Sequence, residues 1–239
     1  SSAASDVYKR QIHMKIVLAT SNKHKVQEIN DIVNNSLPLL EERVGVRVGV
    51  RCQQVCDSGI EFILPPEGFD PVENGETFEE NSRIKALAAW EISKNWSLAD
   101  DSGLCIKALG GKPGIHSARY AETPQKRIER VLNEMQGIKE RDAEFVCAMT
   151  LVNPEGKVVF SCKGICEGSI TEKPAGVNGF GYDPIFLVKG DKRTMAELSE
   201  EEKNQISHRS RALNQIVDYM KHNLSLIHIS EPTRRRGIS

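Results

Sequence analysis

The sequence predicts an α/β fold on three observations. Met14-Lys15-Ile16-Val17-Leu18-Ala19-Thr20 reads as an apolar strand that passes through a polar loop into an amphipathic helix. Thr77-Phe78-Glu79-Glu80 has the Ser/Thr-x-x-Glu form of a capping box and announces a second helix. Apolar runs at residues 144–152 and 158–162 read as the paired strands of a hairpin downstream.

Taken in order, residues 1–13 are polar and patternless and are set aside as an extension. The first helix carries Val26, Ile29, Ile32 and Val33 on its apolar side. Residues 34–71 show little pattern beyond a Val-Gly-Val-Arg repetition at 44–51 that alternates like an edge strand. The capping box predicts a helix over residues 78–94, with Phe78, Ile84, Ala88 and Ile92 in one stripe that also includes Asn81 and Lys85. A lysine so placed ordinarily snorkels its ammonium past the apolar surface. Residues 144–152 and 158–162 flank Asn153-Pro154-Glu155-Gly156 as a hairpin, with a further short strand over 165–170. A Gly-rich loop, residues 176–184, leads into Ile185-Phe186-Leu187-Val188, and aromatics between glycines seldom belong to a core. Leu213, Ile216, Val217 and Met220 mark a closing helix that Ser207 caps, which puts His208 and Arg209 in its first turn. Residues 224–239 do not continue that period and are set aside as a second extension, leaving 14–223 as the folded unit.

The 239 residues, 39% hydrophobic, suit one substantial domain or two lobes. Thirty-two basic against 33 acidic residues leave a formal charge of -1, so nothing draws the whole molecule to nucleic acid or anionic lipid. No apolar stretch approaches the roughly 20 residues that cross a bilayer, and a cytoplasmic protein is expected. Cys52 with Cys56 and Cys162 with Cys166 lack a matching His or Cys set, which favours reduced thiols; Cys105 and Cys147 sit in apolar runs as small core residues.

The chemistry concentrates at Leu98-Ala99-Asp100-Asp101-Ser102-Gly103. Two acids ending an apolar strand suit a cation or a base, although Asp-Asp-Ser-Gly is also good turn chemistry. Residues 20–25, Asn81 with Lys85, and Lys203 with Ser207-His208-Arg209 add phosphate or nucleotide chemistry. At residues 20–25 the free N–H groups of a helix N-terminus, with Lys23 and Lys25, suit phosphate, while Asn22 also serves as a cap. The loop lacks the Gly-x-x-x-x-Gly-Lys form of a P-loop.

In this order, Leu18-Ala19-Thr20-Ser21-Asn22-Lys23-His24-Lys25, Thr77-Phe78-Glu79-Glu80-Asn81, Ala99-Asp100-Asp101-Ser102-Gly103-Leu104, Gly110-Gly111-Lys112-Pro113-Gly114, Ser117-Ala118-Arg119-Tyr120, Gly179-Phe180-Gly181-Tyr182-Asp183-Pro184 and Ile206-Ser207-His208-Arg209 resemble the inosine triphosphate pyrophosphatase family. Its members hydrolyse non-canonical purine nucleoside triphosphates to monophosphate and pyrophosphate. The resemblance implies two lobes around a long mixed sheet, a nucleotide cleft between them, a homodimer, Mg²⁺ dependence, and neither nucleic-acid nor membrane partners. It implies that Asp101 is catalytic base and metal carboxylate and that Ser102 contacts substrate. An aspartate of reference pKa about 3.9 is ionised at neutral pH, in keeping with that role. Asp100 points the opposite way on an extended segment and supports the fold instead. Thr20, Ser21, Asn22, Lys23, His24 and Lys25 match the triphosphate loop, with Asn81 and the catalytic Lys85 reaching toward the phosphates. Phe180 matches the base-stacking aromatic, with Gly181, Tyr182 and Asp183 in the same substrate loop. Lys203, His208 and Arg209 match the base-recognition end, where a donor-only arginine reads the purine 6-keto oxygen and disfavours adenine. Many relatives carry two consecutive acids where this chain has Pro71-Val72-Glu73-Asn74-Gly75, so Glu73 is the second metal carboxylate, with Asp70 its competitor.

A septum-inhibitor-type pyrophosphatase acting on modified pyrimidine nucleotides is the alternative enzyme, and the Ser-His-Arg and Phe-Gly-Tyr-Asp segments argue against it. A nucleotide sensor without turnover would have lost Asp101 or Lys85. A nucleic-acid-binding module would need a broad cationic face.

Overall fold

The computed structural model describes residues 14–20, 22–36 and 60–227. The extension over 1–13, Ser21, the alternation at 44–51, Cys52, Cys56 and residues 228–239 lie outside the described residues, as does the side chain of Lys23. The chain runs β1 (Met14–Leu18), α1 (Lys23–Ser36), β2 (Ile60–Ile63), α2 (Phe78–Ser93), β3 (Trp96–Ile106), α3 (Pro124–Glu134), β4 (Asp142–Val152), β5 (Val158–Ile170), β6 (Phe186–Val188), α4 (Glu200–Ile206) and α5 (His208–Ile227). One six-stranded sheet has the order β2-β1-β3-β4-β5-β6. β1 pairs in parallel with β2 and β3, and the remaining pairings are antiparallel, so the expected mixed sheet is present.

The length of β3, β4 and β5, 11, 11 and 13 residues, lets one sheet carry two cores. In the first lobe Ile16, Leu18, Leu98 and Met149 meet Ile29 and Ile32 of α1 and Leu213 and Ile216 of α5. The opposite face presents Val17, Ala19 and Ala99 to Ala86 and Ala89 of α2, small residues that let the helix lie close. Further along the same strands, Leu104, Ile106 and Phe145 pack with Val131 and Met135 around α3 and with Phe186 of β6. Gly103 sits where the lobes meet. A Cβ there would strike the Gly114 carbonyl and the Ser117 hydroxyl, so only glycine allows the Gly114–Arg119 turn to rest on the strand.

Several expectations are met locally. Thr77 and Glu80 form the capping box of α2, Ser207 accepts the Ser210 N–H at 3.1 Å to cap α5, and the hairpin joins β4 to β5. Four readings are corrected. The buried face of α2 runs through Phe78, Asn81, Ser82, Lys85, Ala86 and Ala89, while Ile92 is 57% exposed. Polar pairing turns the helix that way: Ser82 Oγ meets Thr150 Oγ1 at 2.8 Å, and Lys85 reaches β3. The short strand expected over 165–170 is the far half of a continuous β5, because β4 offers it an unbroken antiparallel partner. β2 lies within the stretch judged patternless, and as a four-residue edge strand it is too short to show a period. Tyr182, although set in a Gly-rich loop, is buried in the second core. α3, with Thr123 capping it and Pro124 in its first turn, and α4, with its Ser199–Glu202 capping box, complete the framework.

Four cysteines, Cys105, Cys147, Cys162 and Cys166, are free thiols, and burial pushes Cys105 up to about 11 and Cys162 up to about 12. Among the described residues no helix is long and apolar enough to cross a membrane.

Ile216 is fully buried between α5 and the sheet. Ile216→Ala is expected to destabilise the protein by about 3 kcal/mol, read as a lower urea midpoint with an unchanged m-value.

Candidate active site

A cleft of about 350 Å³ opens between the lobes. Successive residues of β3 face opposite sides of the sheet, and this divides its two acids. Asp101 turns toward α2, where its Oδ1 accepts from Lys85 Nζ at 2.9 Å, and the same ammonium lies 2.9 Å from Glu73 Oε1. Lys85 is 7% exposed, so the snorkelling alternative is excluded. Burial works against its charge, but the carboxylates of Asp100, Asp101 and Glu73 outweigh burial and hold its pKa above the usual lysine value. Burial also raises the pKa of Asp101, which Lys85 offsets only in part. The second carboxylate oxygen, Oδ2, is buried without a hydrogen-bond partner.

Asp100 turns toward α1 and α5. Its Oδ2 lies 2.9 Å from Lys25 Nζ and 3.4 Å from Arg209 Nε and NH2, and it accepts the Ser102 hydroxyl at 3.3 Å. Burial alone would raise this carboxyl, but Lys25 and Arg209 reverse the effect and hold it far below the usual range. Arg209 is 1% exposed; it also donates from NH2 to Ser102 Oγ at 2.9 Å and from NH1 to Glu28. Those four bonds leave one of its five N–H donors for a ligand.

At the β1 end, Asn22 Oδ1 accepts the His24 and Lys25 N–H groups at 3.0 and 3.4 Å, so the asparagine caps α1. Thr20 Oγ1 accepts the Asn22 N–H at 3.2 Å. Thr20, Asn22 and Lys25 line the cleft at the helix N-terminus, an arrangement suited to an anion. Asn81 stands behind the wall: its Oδ1 accepts the Gly75 N–H at 2.9 Å and so braces the loop that carries Glu73.

The opposite end is built on the Gly-rich loop. Asp183 Oδ2 accepts the Phe180 N–H and Lys203 Nζ, each at 2.8 Å. Gly179 at φ +73° is required because any Cβ would strike that carboxylate. Phe180 and the neighbouring Gly181 line the cleft; the ring stacks on exposed His24 at 5.4 Å and has Lys203 Nζ 4.6 Å from its centroid. Tyr182 donates its hydroxyl to the Ser117 carbonyl at 2.9 Å, so its phenol fastens the loop to the Gly114–Arg119 turn. His208 is 6% exposed and stacks on Phe145 at 4.9 Å. Burial, then the cations Arg209 and Lys203, hold its pKa well below 6.5, so the imidazole is neutral at physiological pH.

Glu73 and Asp101 share Lys85, and the Asp101 Oδ2 lacks a partner. Hard oxygen donors of this kind fit a magnesium ion, which typically takes one or two carboxylates and completes its shell with water and substrate phosphate. Among the described residues no group of three or more His, Cys, Asp or Glu is placed to enclose a metal unaided. Asp70 lines the cleft but has no part in the Lys85 cluster.

A model of the Ham1 family matches residues 16–219. The chain belongs to the Ham1 family. It is 43% identical over 214 residues to a dITP/XTP pyrophosphatase of Treponema denticola, a match spanning 87% of this chain and 99% of that protein. A dITP/XTP pyrophosphatase of Shouchella clausii is 50% identical over 158 residues, 64% of this chain and 79% of that protein. Among solved structures, the Ham1 protein of Staphylococcus aureus superposes with a TM-score of 0.71 at 35% identity, covering 87% of this chain and 99% of the other. None of these relatives is a septum-inhibitor-type enzyme by name.

Four residues of this Ham1-family site have no role in the sequence reading, although Arg119 stands in one of its matched segments. Glu28 is buried against Arg209 and Lys203, and Phe145 supports His208. Arg119 and Arg127 line the cleft from the second lobe. Glu28 had a signal, since it falls on the same face of α1 as Lys25, Ile29 and Ile32 and so places an acid on a buried stripe. Phe145 looked like any strand aromatic.

Because the unfolded chain protonates this histidine near pH 6.5 and the folded protein does not, stability should fall as pH drops below that value. Wild type is expected to lose up to about 1.4 kcal/mol per pH unit from this group, seen as falling urea midpoints between pH 7.5 and 5.5. His208→Gln should flatten that part of the profile.

Proposed function

We propose that this protein hydrolyses non-canonical purine nucleoside triphosphates, ITP, dITP and XTP, to the monophosphate and pyrophosphate. The observation that carries the proposal is the opposition, within one cleft, of the Asp101–Lys85–Glu73 cluster and the Phe180 loop with its base-facing cations. The curated relatives bear the name of that activity.

The Asp101 carboxylate, with Oδ1 fixed by Lys85 and Oδ2 unpartnered, accepts a proton from the water that attacks the α,β-phosphoanhydride. Burial raises its basicity above that of an exposed aspartate. Lys85, with Lys25 and the α1 N-terminus, offsets charge on the phosphates. Mg²⁺ held by Glu73 and Asp101 would supply Lewis-acid charge stabilisation when bound. Phe180 stacks on the base, while Lys203 and the remaining Arg209 donor offer hydrogen bonds to a 6-keto oxygen. Adenine has an amino group at that position, so donors meet donors and adenine is disfavoured. The homodimer and the cytoplasmic setting belong to the same proposal and rest on the family resemblance; sedimentation velocity tests the first.

Product analysis with ITP and XTP beside ATP and GTP, with Mg²⁺ and then with chelator, tests the reaction. Metal-dependent monophosphate and pyrophosphate from ITP and XTP are expected. Orthophosphate as first product, or equal use of ATP, would sink the proposal. Lys85→Met is expected to remain folded by circular dichroism and to lower kcat at least about 100-fold, whereas full activity would remove lysine from the mechanism.

A further inference from the structure

The inner wall of the cleft holds four buried or nearly buried cations, and each is already engaged. Lys25 lies 2.9 Å from Asp100, Lys85 is 2.9 Å from both Asp101 and Glu73, Lys203 is 2.8 Å from Asp183, and Arg209 meets Glu28 and Asp100. Five carboxylates therefore face four cations before any ligand arrives. Lys25 and Lys85 therefore meet a phosphate tail with much of their charge already balanced, and a cation outside this wall adds to what they offer.

The second lobe supplies it. Arg119 ends the Gly114–Arg119 turn, lines the cleft and has a side chain 58% exposed. Its NH2 stands 4.0 Å from Glu73 Oε2, while the other Glu73 oxygen contacts Lys85. An exposed ion pair at that distance contributes little and is given up at small cost. A guanidinium is also a planar fork that matches phosphate oxygens in pairs. Behind it, Arg127 also lines the cleft and is anchored through Nε to the Ala121 carbonyl at 3.0 Å.

We propose that Arg119 is a phosphate-tail contact of the second lobe, leaving Glu73 to grip the pyrophosphate part of the substrate while Arg127 adds positive potential behind it. The proposal rests on the nucleotide reading above. The exchange frees the outer oxygen of Glu73 as the substrate arrives.

The test compares probes with and without the tail. Arg119→Gln should lower kcat/KM for ITP about tenfold through KM, and inorganic triphosphate should inhibit it about tenfold more weakly than wild type. The competitive inhibition constant of IMP, which lacks the tail, should not change. Arg119→Lys should recover part of the loss, and the thermal midpoint of each variant should match wild type. Equal weakening toward ITP and IMP, or unchanged inhibition by inorganic triphosphate, overturns the assignment. Wild-type protein that neither cleaves ITP nor is protected by it against thermal unfolding overturns the nucleotide reading itself, and the Arg119 assignment with it.

Discussion

Asp100 and Asp101 are neighbours on β3 and so must face opposite sides of one sheet, which obliges the protein to balance two buried carboxylates with two separate sets of cations. The arrangement of helices follows from that constraint. α1 and α5 bring Lys25 and Arg209 to one face, and α2 brings Lys85 to the other. The two sides are not equivalent. Each keeps one buried oxygen without a partner, but Asp100 has two cations and is held strongly ionised, whereas Asp101 shares one ammonium with Glu73 and burial raises its pKa. One acid is thereby fixed into the framework, and its neighbour is left available for chemistry.

The same logic explains the buried arginine. Arg209 joins β3, α1 and α5 through Asp100, Ser102 and Glu28, so the residue expected at the base end is also a tie between three elements. Such a network fixes where its one remaining donor points. Phe145 and Asp183 have comparable parts for His208 and Lys203, one by stacking and one by charge. The base end is tied together by these contacts, while Glu73 and Arg119 meet across the cleft at a longer 4.0 Å.

Much of this was legible in the sequence where local chemistry decides the outcome. The capping box at Thr77, the Ser207 cap and the hairpin at residues 153–156 are short-range devices, and they appear where the residues place them. The anomaly of Lys85 on an inward face was also a true signal, because a buried ammonium needs carboxylates and two are present. Long-range pairing was not legible. The face of α2 was misplaced because Ser82 finds Thr150, 68 residues away, and nothing near Ser82 announces it. The division of β5 failed because strand continuity is set by β4, and Tyr182 was misjudged because its burial depends on the distant Ser117 carbonyl.

The division of labour between the two acids is the central claim, and paired isosteric variants test it most directly. Urea unfolding and ITP turnover would be measured for Asp100→Asn and Asp101→Asn. Asp100→Asn should lose about 3 kcal/mol of stability, because half-buried Lys25 loses its carboxylate and buried Arg209 is left with Glu28 alone. Asp101→Asn should stay within about 1 kcal/mol of wild type, since burial already disfavours its charge, yet lose turnover. Retained turnover in Asp101→Asn, or unchanged stability in Asp100→Asn, would contradict the account.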